Sequence, residues 1–220
     1  MSIFIYNGSR SHHDPGMVPG MPSRIALLIV DVQKDFCPGG ALGISGGDLI
    51  IPFVNSYFRL FRRYALPIFV TRDWHPPKTS HFQQFGGKWP VHCVQNSEGA
   101  RFHPGIELPP DAIILSKGIL PDRDDYSAFS ATTDSGLPLH RLIEQKAIHA
   151  LYIGGLATDY CVRETALEAL RAGISITLLE DAVRGVDLVA GDSERAIAEI
   201  IAAGAETTTI EKLSSSLKNQ

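Results

Sequence analysis

Four places in this 220-residue chain carry residues that could do chemistry together: Asp31, Asp73 with His75, Lys117 and Cys161. Each falls where an apolar run rich in β-branched residues stops. A thiol with a carboxylate to take its proton and an ammonium to balance the charge is equipment for covalent attack on a carbonyl carbon. A cysteine in the first turn of a helix feels the positive end of the helix dipole, and a nearby lysine lowers its pKa further, so a thiolate is expected at Cys161. A lone cysteine is more often buried and inert, and the convergence of Asp31 and Lys117 is what reverses that reading. Asp31 suits a general base, since desolvation at a strand end raises its pKa while a neighbouring lysine lowers it. Taken alone, Asp31 serves equally as a turn residue and Lys117 as a surface lysine. Gly118, which permits close backbone approach, draws Lys117 towards the site. Cys37, in a Pro/Gly loop, and Cys93, beside His92, lack such a setting and are read as bystanders.

A second constellation involves metal ligands. Asp73-Trp74-His75 puts a carboxylate and an imidazole on one side of an extended chain, because alternate residues share a face. His81 and His92 add nitrogen donors from the same stretch. One Asp and two or three His suit Zn, Fe or Mn, with positions left open for water or substrate. His103, in RFHPG, reads as a turn residue, and His12 and His13 lie in the N-terminal stretch. Gly154–Asp159 (GGLATD) joins a strand to a helix through small residues. Its backbone N–H groups could form an oxyanion hole, and it reads equally as an ordinary turn with Asp159 as helix N-cap.

The elements that must position these residues follow from the apolar runs. Arg24–Val30, Pro67–Thr71, Ala112–Ser116 and Ile148–Gly155 are short and apolar on both faces, as buried parallel strands are. Ile174–Leu179 and Glu206–Ile210 supply two further strands. Helices are expected over Asp48–Tyr64, with Asp48 as N-cap, and over Leu137–Lys146, Asp159–Ala172 and Asp187–Ala203. Asp73–Asp111 holds six prolines and little periodicity, and so long a loop within a domain is usually functional. The alternation predicts an α/β fold, a three-layer α/β/α sandwich around a central, mostly parallel six-stranded sheet. In such a sheet ligands bind beyond the carboxyl ends of the strands, which brings all four places to one rim. Residues 1–23 mix Gly, Pro, Ser and His without periodicity and read as an N-terminal extension to a single domain over 24–220.

Bulk properties narrow the partners. A net charge of −4 without basic clusters gives no footprint for nucleic acid or an anionic membrane, so a small-molecule ligand is expected. No apolar stretch is long enough to span a bilayer, and the first residues lack a signal-peptide pattern, which makes cytoplasmic residence the expectation. Three cysteines form neither a CxxC pair nor an even disulfide framework. A homo-oligomer is left open.

Together these residues resemble the nicotinamidases of the cysteine-hydrolase group often called isochorismatase-like. The resemblance rests on Asp31–Leu42 (DVQKDFCPGGAL), Thr71–Pro76 (TRDWHP), Trp89–Val94 (WPVHCV), Lys117-Gly118, Asp125–Phe129 (DYSAF) and Gly155–Ala166 (GLATDYCVRETA). It implies Cys161 as nucleophile, Asp31 as general base and Lys117 as the cation between them. It also implies one divalent transition metal, Zn first and Fe or Mn otherwise, held by Asp73, His75, His92 and, in some members, the equivalent of His81. A cis peptide before Ala157 is implied, with the N–H groups of Ala157 and Cys161 forming the oxyanion hole. Phe36 and Trp89 match aromatics that flank a pyridine ring, and Tyr126 matches a residue near the pocket. The implied reaction converts nicotinamide to nicotinate and ammonia through a thioester. The alternatives are an amidase of the same group acting on another small carboxamide or carbamoyl compound, and a non-catalytic ligand-binding member. A vinyl-ether hydrolase has no need of Cys161. This chain departs from many members in carrying Ser80, not an acidic residue, before His81.

Overall fold

A computed structural model describes residues 24–218. Strand β1, Ile25–Val30, consists of six apolar residues, all buried, so neither face of it meets water. Because successive side chains of a strand point to opposite faces, Ile25, Leu27 and Ile29 enter one core and Ala26, Leu28 and Val30 the other. Five further strands complete the sheet: β2 Ile68–Asp73, β3 Ile113–Lys117, β4 Ala150–Leu156, β5 Ser175–Arg184 and β6 Glu206–Thr208. They lie in the order β3-β2-β1-β4-β5-β6, and every neighbouring pair is parallel. Helices α1 (Ile51–Arg63) and α5 (Ile210–Lys218) cover one face, with Val54, Tyr57, Phe58, Phe61 and Leu213 in its core. Helices α2 (Leu139–Gln145), α3 (Arg163–Arg171) and α4 (Asp192–Ala202) cover the other, through residues such as Leu142, Ala166 and Ile200. The sandwich is therefore three-layered as expected, with a sheet that is wholly parallel. The extension expected over 1–23 lies outside the described residues.

The chain moves from β1 to β2 and β3 on one side and returns to β4 on the other. That reversal opens a crevice beyond the carboxyl ends of β1 and β4, where ligands bind in open parallel sheets. Gly155 closes the two strands tightly at this point. It pairs with Val30 at φ +118°, and a Cβ there would lie 2.0 Å from the Val30 carbonyl oxygen. The turn after β4 is thereby held beside Asp31, which itself adopts φ +49°, a conformation aspartate tolerates better than most residues.

Several local expectations are corrected. Asp48 does not cap the first helix; it lies inside a 3-10 turn, Gly47–Ile50, because left-handed Gly46 turns the chain earlier. Asp159 does not cap α3. Its carboxylate accepts the N–H groups of Val186 and Asp187, both at 2.9 Å, tying the end of β5 to the turn after β4. Residues Thr158–Val162 form a π-helical turn before α3, with the Val162 N–H donating to the Ala157 carbonyl at 3.0 Å. Strand β5 runs to Arg184, past the expected Leu179, and α5 follows β6.

Candidate active site

Lys117 is the last residue of β3 and stands in register with Asp73, the last residue of β2. Its side chain is fully buried. The ammonium lies 2.8 Å from Asp31 Oδ2, donates to Asp73 Oδ1, and donates to Cys161 Sγ at 3.3 Å. Thr71, two residues before the end of β2, donates its hydroxyl to Asp31 Oδ1 at 2.7 Å. Asp31 Oδ2 accepts no well-aligned hydrogen bond, and ligating atoms of Asp31, Asp73 and Cys161 lie within 4.8 Å of one another. A carboxylate oxygen of Asp31 thus lies within 4.8 Å of the thiol sulfur, with the ammonium beside both.

The charge states follow from burial and pairing. Burial works to lower the pKa of Lys117, but Asp31 and Asp73 hold it well above the ordinary lysine value. Burial would raise Asp73, yet Lys117 and His75 keep it well below the usual carboxylate range. Burial raises Asp31 to about 6 against the pull of Lys117. For Cys161, burial pushes the thiol well above its ordinary value; Lys117 opposes this, while Asp31 and Asp73 add to it. Desolvation and the two carboxylates thus favour the thiol, against the thiolate that Lys117 and the helix terminus favour. Such a thiol needs a base, and Asp31 is placed to be one.

The long β2–β3 connection supplies the histidines. His75, His81 and His92 are buried, and one ring nitrogen of each lies within 4.8 Å of the others. In every case Nδ1 already has a partner: the Gly118 carbonyl at 3.1 Å, Asp124 Oδ1 at 2.5 Å and the Pro90 carbonyl at 2.7 Å. Histidines that ligate a metal characteristically occupy their second nitrogen in this way. That leaves Nε2 for the cluster, and His75 Nε2 is buried without a hydrogen-bond partner, 3.6 Å from Asp73 Oδ2. Burial also lowers the pKa of His81 and takes that of His92 to about 4, so neither competes as a cation near neutrality. The donor set fits a divalent metal ion. Gly118 is required here as a glycine, since at φ +65° a Cβ would approach His75 Cε1 to 2.4 Å.

Both groups open on one cavity, whose walls include Phe36, Trp89, Tyr126, Ala157 and Cys161. Trp89 Nε1 donates to Tyr126 Oη at 3.0 Å, and Tyr160 meets Trp89 edge-on with ring centroids 4.9 Å apart. The cavity is partly open to solvent and narrow between its aromatic walls.

The fold thus assembles Asp31, Asp73, Lys117 and Cys161 in one charged group, and His75, His81 and His92 in a neighbouring one. The peptide between Leu156 and Ala157 is cis. Cys37 and Cys93 are buried, and His103 accepts from Gly105 N–H within a turn. Sequence reasoning passes over Thr71, Tyr160, Asp124 and Gln33, whose buried amide donates to the carbonyls of Asp73 and Ala100 at 2.8 and 2.9 Å. The one hydroxyl in the otherwise apolar run PIFVT marks Thr71; the others carry no periodic signal.

The chain is 37% identical over 209 residues, covering 86% of it and 96% of the relative, to a nicotinamidase of Escherichia coli (strain K12). A pyrazinamidase of Pyrococcus horikoshii, solved in complex with zinc, superposes with a TM-score of 0.78 at 45% identity, covering 84% of this chain and 99% of that one. PnC1 from L. infantum, solved in complex with nicotinate, gives 0.74 at 31% identity, covering 86% and 94%. Residues 25–212, which take in all six strands and both groups of side chains, match the isochorismatase domain model, and the chain belongs to that family.

Proposed function

We propose that this chain hydrolyses nicotinamide to nicotinate and ammonia, with Cys161 as nucleophile, Asp31 as general base and Lys117 as the cation that holds them together. The observation that carries this reading is that a thiol–carboxylate–ammonium group and a three-histidine cluster face one aromatic cavity. The named relatives, a nicotinamidase and a structure with nicotinate, support the substrate class.

Asp31 Oδ2 takes the proton from Cys161, and Sγ attacks the carboxamide carbon. Negative charge develops on the carbonyl oxygen, where the N–H groups of Ala157 and Cys161 receive it. Asp31 returns the proton to the amide nitrogen, the C–N bond breaks, ammonia leaves and a thioester remains. Water then gives a proton to Asp31 and adds to the thioester carbon, the C–S bond breaks, that proton returns to sulfur, and the acid formed loses its carboxyl proton to solvent as nicotinate. Lys117 keeps Asp31 and Sγ in reach of each other throughout and offsets the charge that passes between them. Phe36 and Trp89 flank the ring and Tyr126 bounds it. His75, His81, His92 and Asp73 would hold the metal, which would supply Lewis-acid chemistry for orienting the substrate. Zinc fits best, since nitrogen donors with one carboxylate suit it and the Pyrococcus structure holds it. Residues 24–220 form the catalytic domain in this reading, and 1–23 an extension to it.

Ammonia release from nicotinamide by purified protein, with metal analysis of the same sample, tests the proposal. Release with about one metal ion per chain supports it. No release from a zinc-loaded sample overturns it in favour of another amide or of a binding role.

A further inference from the structure

His81 differs from its two neighbours in what turns its ring. His75 and His92 direct Nδ1 at backbone carbonyls, those of Gly118 and Pro90. His81 directs Nδ1 at a side chain, Asp124 Oδ1, which lies 43 positions away in the loop after β3. Asp124 is half exposed, with 49% of its side chain accessible, and has no part in the reaction derived above. The His81 ring stacks on His75 at a centroid distance of 4.6 Å with 25° between the planes.

We propose that Asp124 is the positioning residue that makes His81 a ligand of the metal site. By accepting the Nδ1 proton it fixes the tautomer in which Nε2 carries a lone pair, and it aims that lone pair at the point faced by His75 and His92. A carboxylate acceptor also makes the ligating nitrogen more basic than a carbonyl acceptor does. Asp125 and Tyr126, the next residues of the same loop, line the cavity, so this contact ties the metal site to the cavity wall.

The inference rests on the metal-binding half of the proposed function, and zinc affinity tests it without turnover. Zinc dissociation constants of the full chain are measured by competition with a chromophoric chelator for wild type, Asp124→Asn, Asp124→Glu and His81→Asn. Loss of an outer carboxylate typically weakens metal binding by about 10- to 100-fold, and that is the loss expected for Asp124→Asn. Asp124→Glu, which keeps a carboxylate, should recover most of it. Asp124→Asn combined with His81→Asn should bind no more weakly than His81→Asn alone, because both changes remove the same ligand. Wild-type affinity in either Asp124→Asn or His81→Asn overturns the proposal, as does an additive double variant. A wild type that binds zinc tightly but releases no ammonia overturns the nicotinamidase reading and leaves this one standing.

Discussion

The charged group around Lys117 and the histidine cluster share a cavity, yet the chain holds them by different means. Asp73 and Lys117 end adjacent strands in direct register, Asp31 follows the strand next to them, and Cys161 sits in the helical turn after β4. His81 and His92 belong to a connection whose only regular element is a 3-10 turn, Gln83–Phe85. That connection is pinned by scattered backbone bonds, such as His75 N–H to the Cys93 carbonyl at 3.0 Å and Gln83 N–H to the Trp89 carbonyl at 2.7 Å. The contrast has a physical reason. Buried charges repay their desolvation only in good geometry, so they need the sheet. Histidines that meet at a metal gain order from the metal itself and can be carried by a loop.

If the two regions are separable in this way, Cys161→Ala should lower turnover by about 10⁴-fold or more while zinc content stays at the wild-type level. Zinc lost along with activity would show that they are one unit. Lys117→Met leaves Asp31 and Asp73 buried without their cation, and should cost roughly 3–5 kcal/mol of stability in urea unfolding. His75→Ala in metal-free protein should cost clearly less, and equal losses would remove the distinction drawn here.

The pH profile sharpens the comparison further. Asp31 works as a base only when deprotonated, and burial places its pKa at about 6. The value of kcat/KM should therefore fall about tenfold per unit as the pH drops below that point. An acid limb centred near 4 would instead assign the titration to His92, which burial holds at about 4. The smallest effect concerns a contact between the β2–β3 connection and the turn after β4. Lys88 Nζ donates to Tyr160 Oη at 2.7 Å and lies 4.7 Å from the Trp89 ring centre. Lys88→Met should raise KM for nicotinamide about two- to fivefold with kcat unchanged; a fall in kcat instead would place Lys88 closer to the chemistry.

The apolar runs announce β1 to β4 plainly, because strands buried on both faces admit almost no polar residue. The end of β5 is hidden for the opposite reason: Glu180, Asp181 and Arg184 give Ser175–Arg184 a mixed face, half open to water. Helix α5 shows Leu213 and the half-buried Ile210 to the core beside a run of serines, too little periodicity to declare itself. Asp124 looks like any exposed acid in PDRDD, and its meeting with His81 depends on how two irregular segments cross.

By itself the sequence determined the residue types of the site, their placement at strand ends, and the layered fold those strands imply, since strand burial and the rim rule act on local pattern alone. Tertiary structure alone decided the electrostatic balance around the thiol and the directions of the histidine rings. Whether Cys161 rests as thiol or thiolate depends on how many carboxylates share its desolvated space. Which nitrogen His81 turns inward depends on a carboxylate brought from 43 positions away. Both are sums over neighbours in space, which no spacing along the chain records.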